Sequence, residues 1–195
     1  MKLAESFYLR RNVTTIARQL LGKILVTKIN NEVTSGIIVE TEAYSYNERG
    51  SHAFKGMTKR NEVMFERGGK AYVYLCYGVH EMFNVVTNDE DKAEAILIRA
   101  LEPLKGIDTM LERMNKNSPA RITSGPGKLA KAMGIDRKLN GEKLTMNKIW
   151  IEDKAIKIKP SDIVSSTRIG IDYAGEDALL PWRFTIRENR WISKK

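Results

Sequence analysis

Residues 23–44 read KILVTKINNEVTSGIIVETEAY, and this stretch decides the fold class. Lys23 to Lys28 is rich in β-branched residues and predicts a strand; Gly36 to Glu42 predicts a second. Asn30-Asn31 predicts the turn between them, because asparagine tolerates the left-handed backbone that tight turns need. The result is a hairpin, or the start of a meander, that ends on ETEAY at 40–44.

Before the hairpin, Val13, Ile16, Ala17, Leu20 and Leu21 recur at helical spacing. With Asn12 as N-cap and Gly22 just past the end, a short helix is expected there. After it, AYVYLCYG at 71–78, Met82 to Thr87 and Ala95 to Ala100 predict three further strands, the last two joined by the acidic turn 88–91. Gly106 to Lys116 predicts a helix with Ile107, Met110, Leu111 and Met114 on one face. A second helix follows Ser124-Gly125-Pro126 and closes at Gly134. Short strands are expected at Ile149 to Ile151, Ala155 to Ile158 and Phe184 to Arg187. Strands grouped without βαβ alternation predict an α+β fold. The expectation is a single domain over 1–195, with a largely antiparallel mixed sheet, flanking short helices and a protruding β-hairpin. Ser45 to Lys70 holds six Lys or Arg side chains and few apolar residues, so it predicts a long loop that is either functional or disordered.

The formal charge of +9 favours polyanionic partners, nucleic acid above all, although charge alone says nothing of chemistry. The single cysteine, Cys76, excludes an internal disulfide. No apolar run approaches the roughly 20 residues that cross a bilayer, and the start has no secretion-signal pattern. A cytoplasmic location and no membrane association are expected. Cys76, His52 and His80 lack zinc-ligand spacing, so neither a metal nor another cofactor is expected.

Two features point to a site. Glu40, Glu42 and Tyr44 fall on one side of a strand and Thr41 and Ala43 on the other. Carboxylates on an otherwise apolar strand are costly to bury unless paired or used. They form either a solvated edge or a general base. Tyr72 and Tyr74 share a face of the next strand, and Tyr77 stands beside Gly78 where a hairpin tip is expected. Such tyrosines are often plain core residues. Near a carboxylate in a basic protein they also suit a pocket that stacks a base, and a tip that wedges into DNA.

ETEAY at 40–44, SHAFKGMTKRNEVMF at 51–65, AYVYLCYG at 71–78, FNVV at 83–86, LIRALEP at 97–103, SGPGKL at 124–129 and a late PWRF…WIS occur in this order. As an ordered set they resemble the alkyladenine (3-methyladenine) DNA glycosylases over nearly the whole chain. The resemblance implies Glu42 as general base and Arg99 as a residue that helps hold the nucleophilic water. It implies Tyr44, His52 and Tyr74 as aromatic walls around a flipped base, and Asn84 as the pocket residue that crowds the 2-amino group of guanine. Tyr77 would fill the gap left in the duplex. Arg60, Lys128 and Arg168 are candidate contacts to the DNA backbone.

The implied activity is monofunctional hydrolysis of the N-glycosidic bond of damaged purines in double-stranded DNA, by a monomer without metal. Between Tyr44 and His52 the chain is about one residue shorter than the family pattern. SYNERG replaces its Gly-Pro-Glu-Asp stretch, and His80 stands where relatives often carry tyrosine. Three other readings of the residues are a non-catalytic nucleic-acid-binding module, a metal-dependent nuclease using Glu40, Glu42 and Glu94, and a glycosylase-lyase with Lys128 as amine nucleophile.

Overall fold

The hairpin forms as β1 (Ile24–Ile29) and β2 (Glu32–Tyr44), paired from Ile24↔Ile37 to Ile29↔Glu32. Asn30 and Asn31 both have positive φ, 51° and 66°, as a two-residue turn matching strand twist requires. β2 begins at Glu32, earlier than Gly36, because the polar run Glu32–Ser35 hides strand character that pairing with β1 supplies. A computed structural model describes residues 1–193 of the chain.

β2 is the spine of the sheet. One edge pairs with β5 (Glu94–Lys105); the other pairs first with β1 and then, over Glu40–Glu42, with β8 (Arg183–Ile186). β3 (Ala71–Cys76) and β4 (His80–Thr87) continue beyond β5, and β6 (Ile149–Glu152) lies outside β1. β7 (Ile163–Ser166) pairs with β8, and every pairing between these strands is antiparallel.

The one-turn helix α1 (Glu5–Tyr8) precedes α2 (Val13–Leu20), whose first turn is capped by Asn12 accepting from the Thr15 N–H at 2.9 Å. Val13, Ile16, Ala17 and Leu20 face the core, and the Thr41 hydroxyl donates to the Ala17 carbonyl at 3.0 Å. α3 (Ile107–Met114) and α4 (Pro126–Met133) pack on each other, and α4 lies on β4 and β5, closing the same core that α2 enters. Only Met110 of the expected α3 face is fully buried; Ile107, Leu111 and Met114 sit half-buried at the margin. Gly106 is required before α3: its φ is 72°, and a Cβ there would stand 2.4 Å from the Val33 carbonyl.

One expectation changes, and one left open is decided. Residues 155–158 form no strand: Ala155 has φ 57°, and the Ile158 side chain lies over Gly22. Pairing with β8 falls to Ile163–Ser166, a four-residue strand in which only Ile163 and Val164 carry strand propensity, too short to show an alternating pattern. The long loop 45–70 is ordered, with a 3₁₀ turn at Glu62–Phe65. It closes a small cluster of Ala53, Val63 and Met64 against Tyr72, Val86, Ala93 and Ala95. No helix among the described residues is long and apolar enough to cross a membrane.

Candidate active site

The two glutamates of β2 meet one arginine of β5. Arg99 Nε donates to Glu40 Oε1 at 3.1 Å, and its Nη1 donates to Glu42 Oε2 at 3.2 Å. Both carboxylates are fully buried. An irregularity in the β2–β5 ladder between Glu40 and Thr41 sharpens the local twist, yet both side chains stay on the Arg99 side. Glu42 Oε2 also accepts from the Tyr44 hydroxyl at 2.8 Å, and its Oε1 from the Ile169 backbone N–H at 2.8 Å.

These contacts fix protonation states. Burial and the adjacent Glu42 charge push the Tyr44 phenol well above its ordinary value, so it stays a donor. Burial works against the Arg99 cation, but Glu42 and Glu40 outweigh it and hold the guanidinium above its usual range. Arg99 therefore remains a permanent cation between two acids. An acid so held is anchored by donors yet keeps acceptor capacity, since Oε1 takes a single protein donor and a carboxylate oxygen offers two lone pairs.

A cavity of about 480 Å³ opens beside this cluster, within the roughly 300–1,000 Å³ typical of small-molecule sites. Tyr44, His52, Tyr74, Asn84 and Arg99 all line it, together with Tyr72. The β3–β4 register sets three of these, because Tyr72 pairs with Asn84 and Tyr74 follows two residues on. The Tyr72 and Tyr74 rings lie 5.4 Å apart, and His52 meets Tyr74 edge-on at 4.5 Å. The loop before His52, though shorter than the family pattern, still seats the ring. Its Nδ1 lies 3.0 Å from the Tyr72 hydroxyl, and Asn61 Nδ2 donates to its carbonyl at 2.8 Å. Burial, helped by the Arg60 charge, pulls the His52 pKa down to about 4, so the imidazole is neutral near pH 7. Asn84 is buried, with its Nδ2 donating to the Tyr72 carbonyl at 3.2 Å.

At the mouth, Tyr77, Gly78 and Val79 form the β3–β4 turn; the first two have φ of 49° and 71°, and Tyr77 is 90% exposed. Arg60 is exposed, 5.0 Å above the Tyr74 ring. Lys128 is exposed on the first turn of α4 and does not line the cavity.

Arg168 is a correction. Its side chain has no exposed surface, so no DNA phosphate can reach it. It pairs bidentately with Glu48 at 2.6 and 2.8 Å and donates to the Ala43 carbonyl at 2.9 Å. Its guanidinium lies 4.7 Å from the Tyr44 ring and 5.3 Å from Trp182. The contact partners are too far away in the chain for its sequence neighbourhood to reveal them.

Two contributors are not marked in the sequence as read above. The Ile169 N–H is a backbone donor with no signature in residue type. Tyr173 lines the mouth with 70% of its surface exposed, and an aromatic within the polar run 172–177 was a usable signal. Glu40, expected from its place in the motif to be structural rather than the base, is a partner of Arg99. Glu94 lies apart, accepting from Ser45 and Asn88, and no three His, Cys, Asp or Glu side chains converge as a metal site among the described residues.

A family model described as methylpurine-DNA glycosylase matches residues 6–190. A protein of Carboxydothermus hydrogenoformans is 49% identical over 195 residues, covering all of both chains. One of Chlamydia felis is 45% identical over 188 residues, 94% of this chain and 95% of its own. One of Methanoculleus marisnigri is 42% identical over 197 residues and the full length of both. All three are provisionally named 3-methyladenine DNA glycosylases.

Proposed function

The chain belongs to the methylpurine-DNA glycosylase family, and from that membership we propose that it releases alkylated purines from duplex DNA by monofunctional hydrolysis, with Glu42 as the base. The observation that carries the assignment is the buried Glu42 carboxylate, held by Arg99, Tyr44 and the Ile169 N–H beside an aromatic cavity. The nucleotide carrying the lesion turns out of the stack into the cavity, where Tyr44, His52 and Tyr74 receive the base. Tyr77 occupies the gap in the duplex.

An alkylated purine such as 3-methyladenine is cationic and leaves readily. A neutral His52 adds no opposing charge beside it. As the N-glycosidic bond breaks, its electron pair goes to the purine, which departs neutral, and the sugar gains oxocarbenium character. Water adds to C1′ and its proton passes to Glu42, leaving an abasic site. The Glu42 charge also faces the developing sugar cation. Arg99 limits the motion of the carboxylate and offers donors toward the water. Asn84 narrows the pocket against purines with an added exocyclic amine. Arg60 and Lys128 contact the backbone phosphates, and no amine nucleophile takes part.

The test is methylated duplex DNA incubated with the protein in EDTA. Free methylated purine, with strand breaks only after alkali, is the expected result. Breaks before alkali, or trapping of a covalent adduct by borohydride, would overturn the monofunctional assignment. Glu42→Gln is expected to keep its affinity for lesion-containing duplex and to lose base release by at least about a hundredfold. Retained turnover would remove Glu42 from the mechanism.

A further inference from the structure

Glu40 does not line the cavity, yet it holds the residue that does. Its Oε1 accepts from Arg99 Nε at 3.1 Å, from Arg183 Nε at 2.7 Å and from the Ser193 hydroxyl at 2.8 Å. Its Oε2 accepts from the Ser193 backbone N–H at 2.7 Å. Two arginines balance two glutamates in this cluster, so charge neutrality does not need Ser193. What Ser193 adds is direction, because two donors from one residue grip both oxygens and leave the carboxylate a single orientation.

That orientation matters because a guanidinium is planar. Fixing Arg99 Nε on Glu40 fixes the plane in which Nη1 meets Glu42 Oε2. Ser193 is itself anchored well away from the cavity. Asn189 Nδ2 donates to Glu102, the Trp191 N–H returns to Asn189, Trp191 is buried in the main core, and Arg121 donates to the Ile192 carbonyl.

Resting on the glycosylase reading above, we infer that Ser193 is a positioning residue for base release, acting through Glu40 and Arg99 to aim the Glu42 carboxylate. Neither Ser193 nor Glu40 lines the pocket, and neither is bonded to the aromatic walls Tyr44, His52 and Tyr74, so the effect falls on the chemical step and spares lesion binding.

A graded series tests this. Ser193→Thr keeps both donors, Ser193→Ala keeps the N–H, and Ser193→Pro keeps neither. Single-turnover base release from methylated duplex is measured with enzyme in excess. Affinity is measured on a duplex carrying a tetrahydrofuran abasic analogue. The expected rates are within about twofold of wild type for Thr, about tenfold down for Ala and about a hundredfold down for Pro, as loss of one and then two bonds to a charged acceptor implies. Affinity is expected to stay within about twofold throughout.

Equal rates across the series, Thr as slow as Ala, or rate and affinity falling together would each overturn the inference while wild type stays active. Should Ser193→Pro fail to fold, the Thr and Ala pair still decides. A wild-type protein that releases no base overturns the glycosylase reading, and this inference with it.

Discussion

At the scale of single residues, the choice between Glu40 and Glu42 rests on partners that strand periodicity cannot show. Both lie on one side of β2, as the alternation predicts, and neither lines the cavity itself, but Glu40 is closed off by Arg183 and Ser193 while all three partners of Glu42 (Arg99, Tyr44 and Ile169) line it. His52 shows a second effect of burial. Its pKa of about 4, against an ordinary 6.5, means the unfolded chain binds the proton more readily than the native one. Stability from neutral His52 is then complete above pH 6.5 and lost as pH falls toward 4, with an upper bound on the order of 3 kcal/mol. The stability difference between wild type and His52→Gln, measured by denaturant titration, is expected to shrink across that window. A constant difference from pH 7 to 4.5 would show that the ring does not titrate in this way.

Elements were legible where their signal was local. The capped helix α2, the Asn-Asn turn and the aromatic strand β3 all follow from neighbouring residues. β7 and the irregular run 155–158 do not, because both short runs carry β-branched residues and only tertiary pairing decides which of them β8 takes. The loops at 45–50 and 168–177 are joined by the Arg168–Glu48 pair, reinforced by the Asp177 carboxylate accepting from the Arg49 N–H at 2.8 Å. Together they support Tyr44 and Ile169 from behind. Arg168→Met strands a buried carboxylate, so it is expected to destabilise the fold by about 3–5 kcal/mol. Adding Glu48→Gln is expected to recover part of that loss. Denaturant midpoints measure both, and a loss below about 1 kcal/mol would mean the pair is not a fold-critical clamp.

For the whole molecule, the +9 charge is a long-range property, whereas the site is set by a few buried contacts. Attraction to phosphates through exposed cations releases counterions, so affinity for duplex DNA is expected to fall steeply with salt. Arg60→Ala and Lys128→Ala are each expected to lower the slope of log affinity against log salt by about 0.9. Unchanged slopes would place the DNA path elsewhere on the surface. Arg168, though it adds to the same net charge, has no surface from which to contribute. Composition thus suggests the class of partner, but sorting contact cations from structural ones requires burial.

The turn at Tyr77 carries a tension between durability and work. A tyrosine at φ 49° is held in a conformation that side chains with a Cβ enter reluctantly, and glycine would occupy it without strain. Tyr77→Gly is expected to relax the hairpin and raise the melting temperature slightly, while weakening the hold on a lesion-bearing duplex. Selection for thermal endurance alone would discard this ring; under the wedge role proposed above, selection for repair would retain it.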